Sequence, residues 1–364
     1  LWVPLAPSWV ISEKYRVVAT LRRNDARQGY DIDIITGASD REMAAARKGT
    51  VQNSCLVDPE DPSRRYPIAS LRGDRRGPDG ETIYGLRLWE NDDLVPRPDD
   101  VFQERLYCVR WVTPSGERVY KSVTDADIAR EAKVLALLKQ RFADWQARGY
   151  IPSMKITPGY NTEQPIRERG WTHWHHLFNP RQLLVHGLLM EGMGELLSND
   201  LRKHFLFSLG RLSNWNSKLI QWLSLRPGEG SSQSFSNQAL NTFYNYPIRA
   251  FISTKSIIDL SIEPVYCNKN STILPLDARD VSYTADLWIT DPPYADAVNY
   301  HELADFFLAW YEKHLPRLFP DWYASSRAAL AVRGADEDFK KSMVDIYRNL
   351  AAHMPDDGLQ LVMF

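Results

Sequence analysis

Apolar and polar positions alternate with a strand-like period over the first third of the chain. Tyr15 to Leu21 (YRVVATL), Tyr30 to Ile35 (YDIDII), Thr82 to Trp89 (TIYGLRLW) and Leu106 to Val112 (LYCVRWV) are rich in β-branched and aromatic residues, with Gly, Pro, Asn and Asp between them. They predict a β-rich segment over residues 1–122. The period then changes. Thr124 can cap a helix start with Asp127 three residues on, and Ile128, Val134, Leu135, Leu138 and Phe142 recur at helical spacing until Gly149 stops the run. Residues 150–170 are broken by Pro, Gly and polar residues and predict a long loop, a kind of segment that often carries function.

After Pro180 the leucines at 183, 184, 188, 189, 196 and 197 predict a helix, and Phe205 to Leu223 a second one. A Gly/Ser-rich link, Pro227 to Ser236, precedes a helical stretch near Ala239 to Phe251. The last hundred residues read β-α: strands at Ile262 to Cys267, Leu287 to Thr290 and around Leu359, with helices near Tyr300 to His314 and Asp336 to His353. That order predicts an α/β fold with an open parallel sheet and helices on its faces. Three segments follow: β-rich 1–122, helical and looped 123–260, and sheet-bearing 261–364.

Composition narrows the class. The 364 residues are 44% hydrophobic and 25% charged, enough apolar mass for a core and too much for disorder. No run approaches the roughly 18 apolar residues of a membrane span. Cys55, Cys108 and Cys267 are too few and too scattered for a disulfide framework or a metal knuckle, which fits a reducing cytoplasm. The net charge of −2 exerts no global pull on nucleic acid, so any such binding must use local patches. One candidate is the basic segment Arg72 to Arg76 with its Gly77-Pro78-Asp79-Gly80 turn; the other reading is a solvated loop. The chain opens on Leu1 and closes inside an apolar, strand-like run, Gly358 to Phe364, as an excerpt of a longer protein would.

The segment Ala285 to Tyr294 (ADLWITDPPY) carries the chemistry. A short apolar strand ends in a carboxylate, two prolines and a ring, and the carboxyl ends of strands are where open α/β sheets bind ligands. These residue types suit the holding of a planar aromatic amine. Asp291 can accept a hydrogen bond from the amino group. Pro292, lacking an N–H, can present a carbonyl as second acceptor, Pro293 stiffens the turn, and Tyr294 offers a face for stacking. Two acceptors orient the amine for in-line attack, so rate would come from positioning and electrostatics, with no covalent enzyme intermediate.

The DPPY motif after a buried strand resembles that of the amino-group DNA methyltransferases. The continuation DPPYADAVNYHELADFFLAWY, with PRPDDVFQERLYCVRW (96–111), GWTHWHHLFNPRQLL (170–184) and QALNTFYNY (238–246), resembles the large bacterial adenine-specific methylases that contain the DUF1156 domain, enzymes often found in anti-phage loci. The resemblance implies a partial Rossmann-like methyltransferase sheet with an N-terminal β-rich insertion and a helical middle. It also implies S-adenosyl-L-methionine as cofactor, DNA and defence-system proteins as partners, and methylation of adenine N6. Cytosine N4 or RNA as target, and a non-catalytic DNA-recognition subunit, remain alternatives.

The chain departs from the family pattern twice. The Gly-rich cofactor turn is absent, and Gly192 and Gly194 lie in a helical apolar pattern that cannot replace it; the family places that turn upstream, so it is expected before Leu1. Only Cys55 follows Gly49-Thr50-Val51, where relatives carry paired zinc-ribbon cysteines, so no metal is expected there. Asn270 and Ser271, in the polar turn before the motif, are candidates for the cofactor's adenine. Asn299 and Tyr300, close after the motif, and Arg167, Arg169 and Arg181 are candidates for substrate and DNA. His173, His175 and His176, flanked by Trp171 and Trp174, read as a packed loop, a strand contact or, least of all, a metal site. Phe306, Phe307, Trp310 and Tyr311 read as the core face of the helix after the motif.

Overall fold

The computed structural model describes residues 1–196, 198–225, 229–258, 270–293, 299–320, 332 and 336–363. The chain divides into two compact units, one of residues 1–158 and 162–259, the other of 159–161 and 260–364. It is a mixed α/β protein whose sheets are small: among the described residues, two have three strands and four have two.

In the first unit, Val10–Ser12, Val17–Asn24 and Gly29–Thr36 form an antiparallel sheet in chain order, the latter two in unbroken register from Val17↔Thr36 to Asn24↔Gly29. Val17, Val18, Ala19 and Ile32 are buried in one hydrophobic cluster with Trp9, Met43 and Tyr120. The helix Asp40–Ala46 closes this core, its start fixed by Ser39 and Glu42 bonding reciprocally across the first turn. The predicted strand Thr82 to Trp89 is only Thr82–Ile83, paired with Arg75–Arg76. It stops because Gly85 lies against the Gly73 backbone, where a Cβ would stand 2.4 Å from a main-chain atom. The basic segment is therefore one arm of a hairpin, and Arg72 is held by Asp74 at 2.6 Å.

The helix Asp125–Arg148 starts at Thr124, whose hydroxyl accepts from the Asp127 N–H while the Asp127 carboxylate accepts from the Thr124 N–H, and ends at Gly149 in the left-handed region (φ 79°). Val134, Leu138, Phe142 and Trp145 are its buried stripe. Opposite stands Pro180–Leu196, where Gly187 lets the Trp145 ring approach. The next helix is Asn199–Trp215 rather than Phe205 to Leu223. Trp222–Leu223 instead pairs with Gly230–Ser231 as a hairpin across the expected link. The helix expected near Ala239 begins only at Phe251 and runs Phe251–Ile258. Asn237, Asn241 and Asn245 use their side chains for local and tertiary hydrogen bonds, which compete with a helical backbone, and Pro247 forbids one. The expected loop 150–170 holds a helix, Glu163–Arg169, because Pro165 falls in its first turn, where no N–H is needed.

In the second unit Leu287–Thr290 pairs in parallel with Leu359–Val362, register Leu287↔Leu359 to Thr290↔Val362. The helix Asp336–Ala352 covers one face: Trp288 packs in a cluster with Val281, Met343, Ile346 and Leu350, and the Asn349 amide donates to the carbonyls of Ala278 and Val281, both at 3.0 Å. On the other face the expectation of helices on both sides is not met among the described residues. Leu287, Ile289, Leu359 and Leu361 are exposed there, Ile289 by 60%, whereas parallel strands are ordinarily covered on both faces. The expected strand Ile262 to Cys267 lies outside the described residues. No described helix is long and apolar enough to cross a membrane.

Candidate functional site

The strand Leu287–Thr290 brings the motif to the edge of the parallel pair. Its last ladder contact is the Met363 N–H donating to the Thr290 carbonyl at 2.8 Å, and the chain leaves the sheet at Asp291. Asp291 and Pro293 are exposed and Pro292 is half-buried, so the carboxylate stands in solvent at the carboxyl end of a parallel strand. Tyr294 lies outside the described residues. The helix Tyr300–Tyr311 follows. Asn299 precedes it without a side-chain cap and Tyr300 is 59% exposed; of the four aromatic residues expected on its core face, Phe306 and Trp310 are buried and Phe307 and Tyr311 are half-buried. On the same helix, burial raises the Asp305 carboxyl above its ordinary range, with His301 opposing the rise and Glu302 adding to it.

Sequence reasoning missed one feature of this unit. Glu302, in the first turn of the helix, accepts hydrogen bonds from two consecutive backbone N–H groups, Tyr160 at 3.0 Å and Asn161 at 2.7 Å. Residues 159–161 thereby belong to the second unit although the chain on either side belongs to the first. An acidic residue in a first helical turn was visible in the sequence, but its partner, distant along the chain, was not.

The remaining candidates have their own surroundings. Asn270 and Ser271 are exposed in the turn that precedes the sheet strand. Arg169 stacks against Phe102 and Tyr244, 5.3 and 4.6 Å from the ring centroids, and desolvation lowers its pKa. Arg181 is paired with Glu131, and Arg167 lies 3.8 Å from Glu168. These three arginines are thus engaged within the first unit.

The histidine cluster is a packed one. His173, His175 and His176 are buried; the His176 Nδ1 accepts from the N–H groups of Thr172 and His173, while Nε2 of His176 and of His175 bond the carbonyls of Glu90 and Asn91. Burial holds the imidazolium form off, lowering His175 to about 3 and His176 further still. Nearby the fully buried Lys218 ammonium sits 2.6 Å from Glu104 and over the rings of Trp89 and Trp171. Among the described residues no group of side chains is arranged to hold a metal ion.

Compared with known proteins, the chain matches no family model, no curated protein and no solved structure.

Proposed function

We propose that this protein transfers a methyl group from S-adenosyl-L-methionine to adenine N6 in DNA, in a bacterial restriction or anti-phage system of the cytoplasm. The parallel pair is read as the motif-bearing part of a Rossmann-like methyltransferase sheet. One observation supports the reading above the others: Asp291 is solvent-exposed at the carboxyl end of a parallel strand and is followed by two prolines. A carboxylate in that position can meet a ligand amine without first being uncovered.

In this reading Asp291 accepts one amino hydrogen of the adenine and the Pro292 carbonyl accepts the other, which holds the amine lone pair toward the incoming methyl group. The ring of Tyr294 serves as stacking partner for the base. A base inside a duplex cannot reach such a position, so the target is flipped out at a cost of a few kcal/mol, about that of unstacking. The cofactor, when bound, supplies an electrophilic methyl group. Of the described residues, Asn270 and Ser271 fit it to the extent that they offer exposed amide and hydroxyl groups in the turn before the strand. Defence-system proteins would be its partners.

The test uses full-length protein, tritiated cofactor and DNA. Replacing Asp291→Ala is expected to lower transfer at least about a hundredfold, the scale of losing one group aimed at the reacting centre, with unchanged thermal unfolding because the side chain is exposed. Transfer at the wild-type rate would refute the assignment.

A further inference from the structure

We propose that Tyr160 is a stacking residue for an unpaired nucleobase, fastened by Glu302 to the helix that follows the DPPY motif in the chain; the proposal rests on the reading of the protein as a DNA methyltransferase and adds to it a specific contact with the displaced strand. Tyr160 is 86% exposed, more than any other large apolar or aromatic residue described. An exposed tyrosine on a loop is ordinary by itself. What sets this one apart is that its backbone is fastened: its own N–H and that of Asn161 both end on the Glu302 carboxylate, at 3.0 and 2.7 Å. Two adjacent amides on two oxygens of one carboxylate form charge-assisted bonds that fix the peptide plane and hence the direction of the Cα–Cβ bond. The side chain of a residue so fixed is free only about its two rotatable bonds, so its ring can be covered by a ligand with little loss of entropy.

The anchor also chooses the location. Glu302 lies in the first turn of the helix Tyr300–Tyr311, which follows the motif in the sequence, and Tyr300 of the same turn is itself 59% exposed. One helix end therefore carries two phenols whose faces are open to water and whose hydroxyls can stay solvated. A flat apolar face with a wet rim suits a nucleobase, since every base has a π-face and stacking tolerates any sequence. A small polar ligand would leave the rings without a partner. Tyr160 is outside the motif, so in this reading its contribution is to hold the strand rather than to move the methyl group.

The experiment uses the full-length protein without cofactor and a single-stranded oligonucleotide carrying 2-aminopurine, whose fluorescence falls when it stacks. Wild type and Tyr160→Phe are expected to bind alike and to quench alike, and Tyr160→Ala to bind about 5- to 100-fold more weakly with the quenching reduced. All three are expected to unfold at the same temperature, because the side chain is exposed. Equal affinity and equal quenching for wild type and Tyr160→Ala would overturn the stacking role, and so would failure of the wild type to bind the oligonucleotide. Methyl transfer is measured separately on the same samples. A wild type that stacks the probe through Tyr160 but methylates no DNA leaves this role standing and removes the methylation reading; a wild type that methylates DNA with Tyr160→Ala indistinguishable from it does the reverse.

Discussion

At Gly187 there is no space for a methyl group: a Cβ there would lie 2.2 Å from the Trp145 ring. Gly192, on the same helix, has nothing within 4 Å of that position. The pair separates backbone preference from packing. Gly187→Ala is expected to destabilise the protein by about 1–3 kcal/mol through overpacking against a buried indole, whereas Gly192→Ala should be neutral or gain up to about 1 kcal/mol from helix propensity. Urea unfolding of the two variants checks this, and a matched shift would contradict the packing described. The sequence showed that Gly192 and Gly194 lie in a helical pattern and so cannot serve as the Gly-rich cofactor turn. It could not show what Gly187 does, because the ring that needs the space belongs to another helix. Arg169 gives the same lesson: its type suggested phosphate, but its setting between Phe102 and Tyr244 depends on segments distant along the chain.

Elements whose ends are written locally were the legible ones. The helix Asp125–Arg148 has its start in Thr124 and Asp127 and its stop in Gly149, all within reach of the backbone groups they satisfy. Thr124→Ala is accordingly expected to cost about 1 kcal/mol, with Thr124→Ser near wild type, as a thermal melt would read; an alanine variant as stable as wild type would mean that the cap carries no weight. Strand Leu287–Thr290 was legible for its apolar run closed by Asp291 and Pro292. The misjudged elements depend on distant partners or on where a proline falls. Thr82 to Trp89 has strand composition but meets the Gly73 backbone at Gly85. Pro165 suggested loop, yet falls where a helix tolerates it. Asn241 and Asn245, compatible with a helix by spacing alone, bond other side chains instead.

For the whole molecule, the α/β class was legible, and so was the strand that ends just before Asp291. The small size of the sheets among the described residues and the exposure of Ile289 were not, because sequence pattern shows which residues are apolar and not how much of each is buried. Stability should follow the buried histidines. His175 and His186 titrate at about 3 in the folded protein because burial excludes their charged form, against about 6.5 when unfolded. A base whose folded pKa is depressed leaves the unfolded state binding more protons below 6.5, so stability is full above that pH and falls as pH drops toward 3. Between pH 7 and 5.5 each should remove about 1 kcal/mol, with His176 acting in the same direction. Urea unfolding at the two pH values tests it, and a flat profile would contradict the buried, neutral cluster. The central claim, however, concerns the amine held at Asp291. Its most direct measurement is the nucleoside composition of DNA after incubation with full-length wild-type protein and labelled cofactor: label in N6-methyladenine is the expected result, and label only in N4-methylcytosine or in no nucleoside would contradict it.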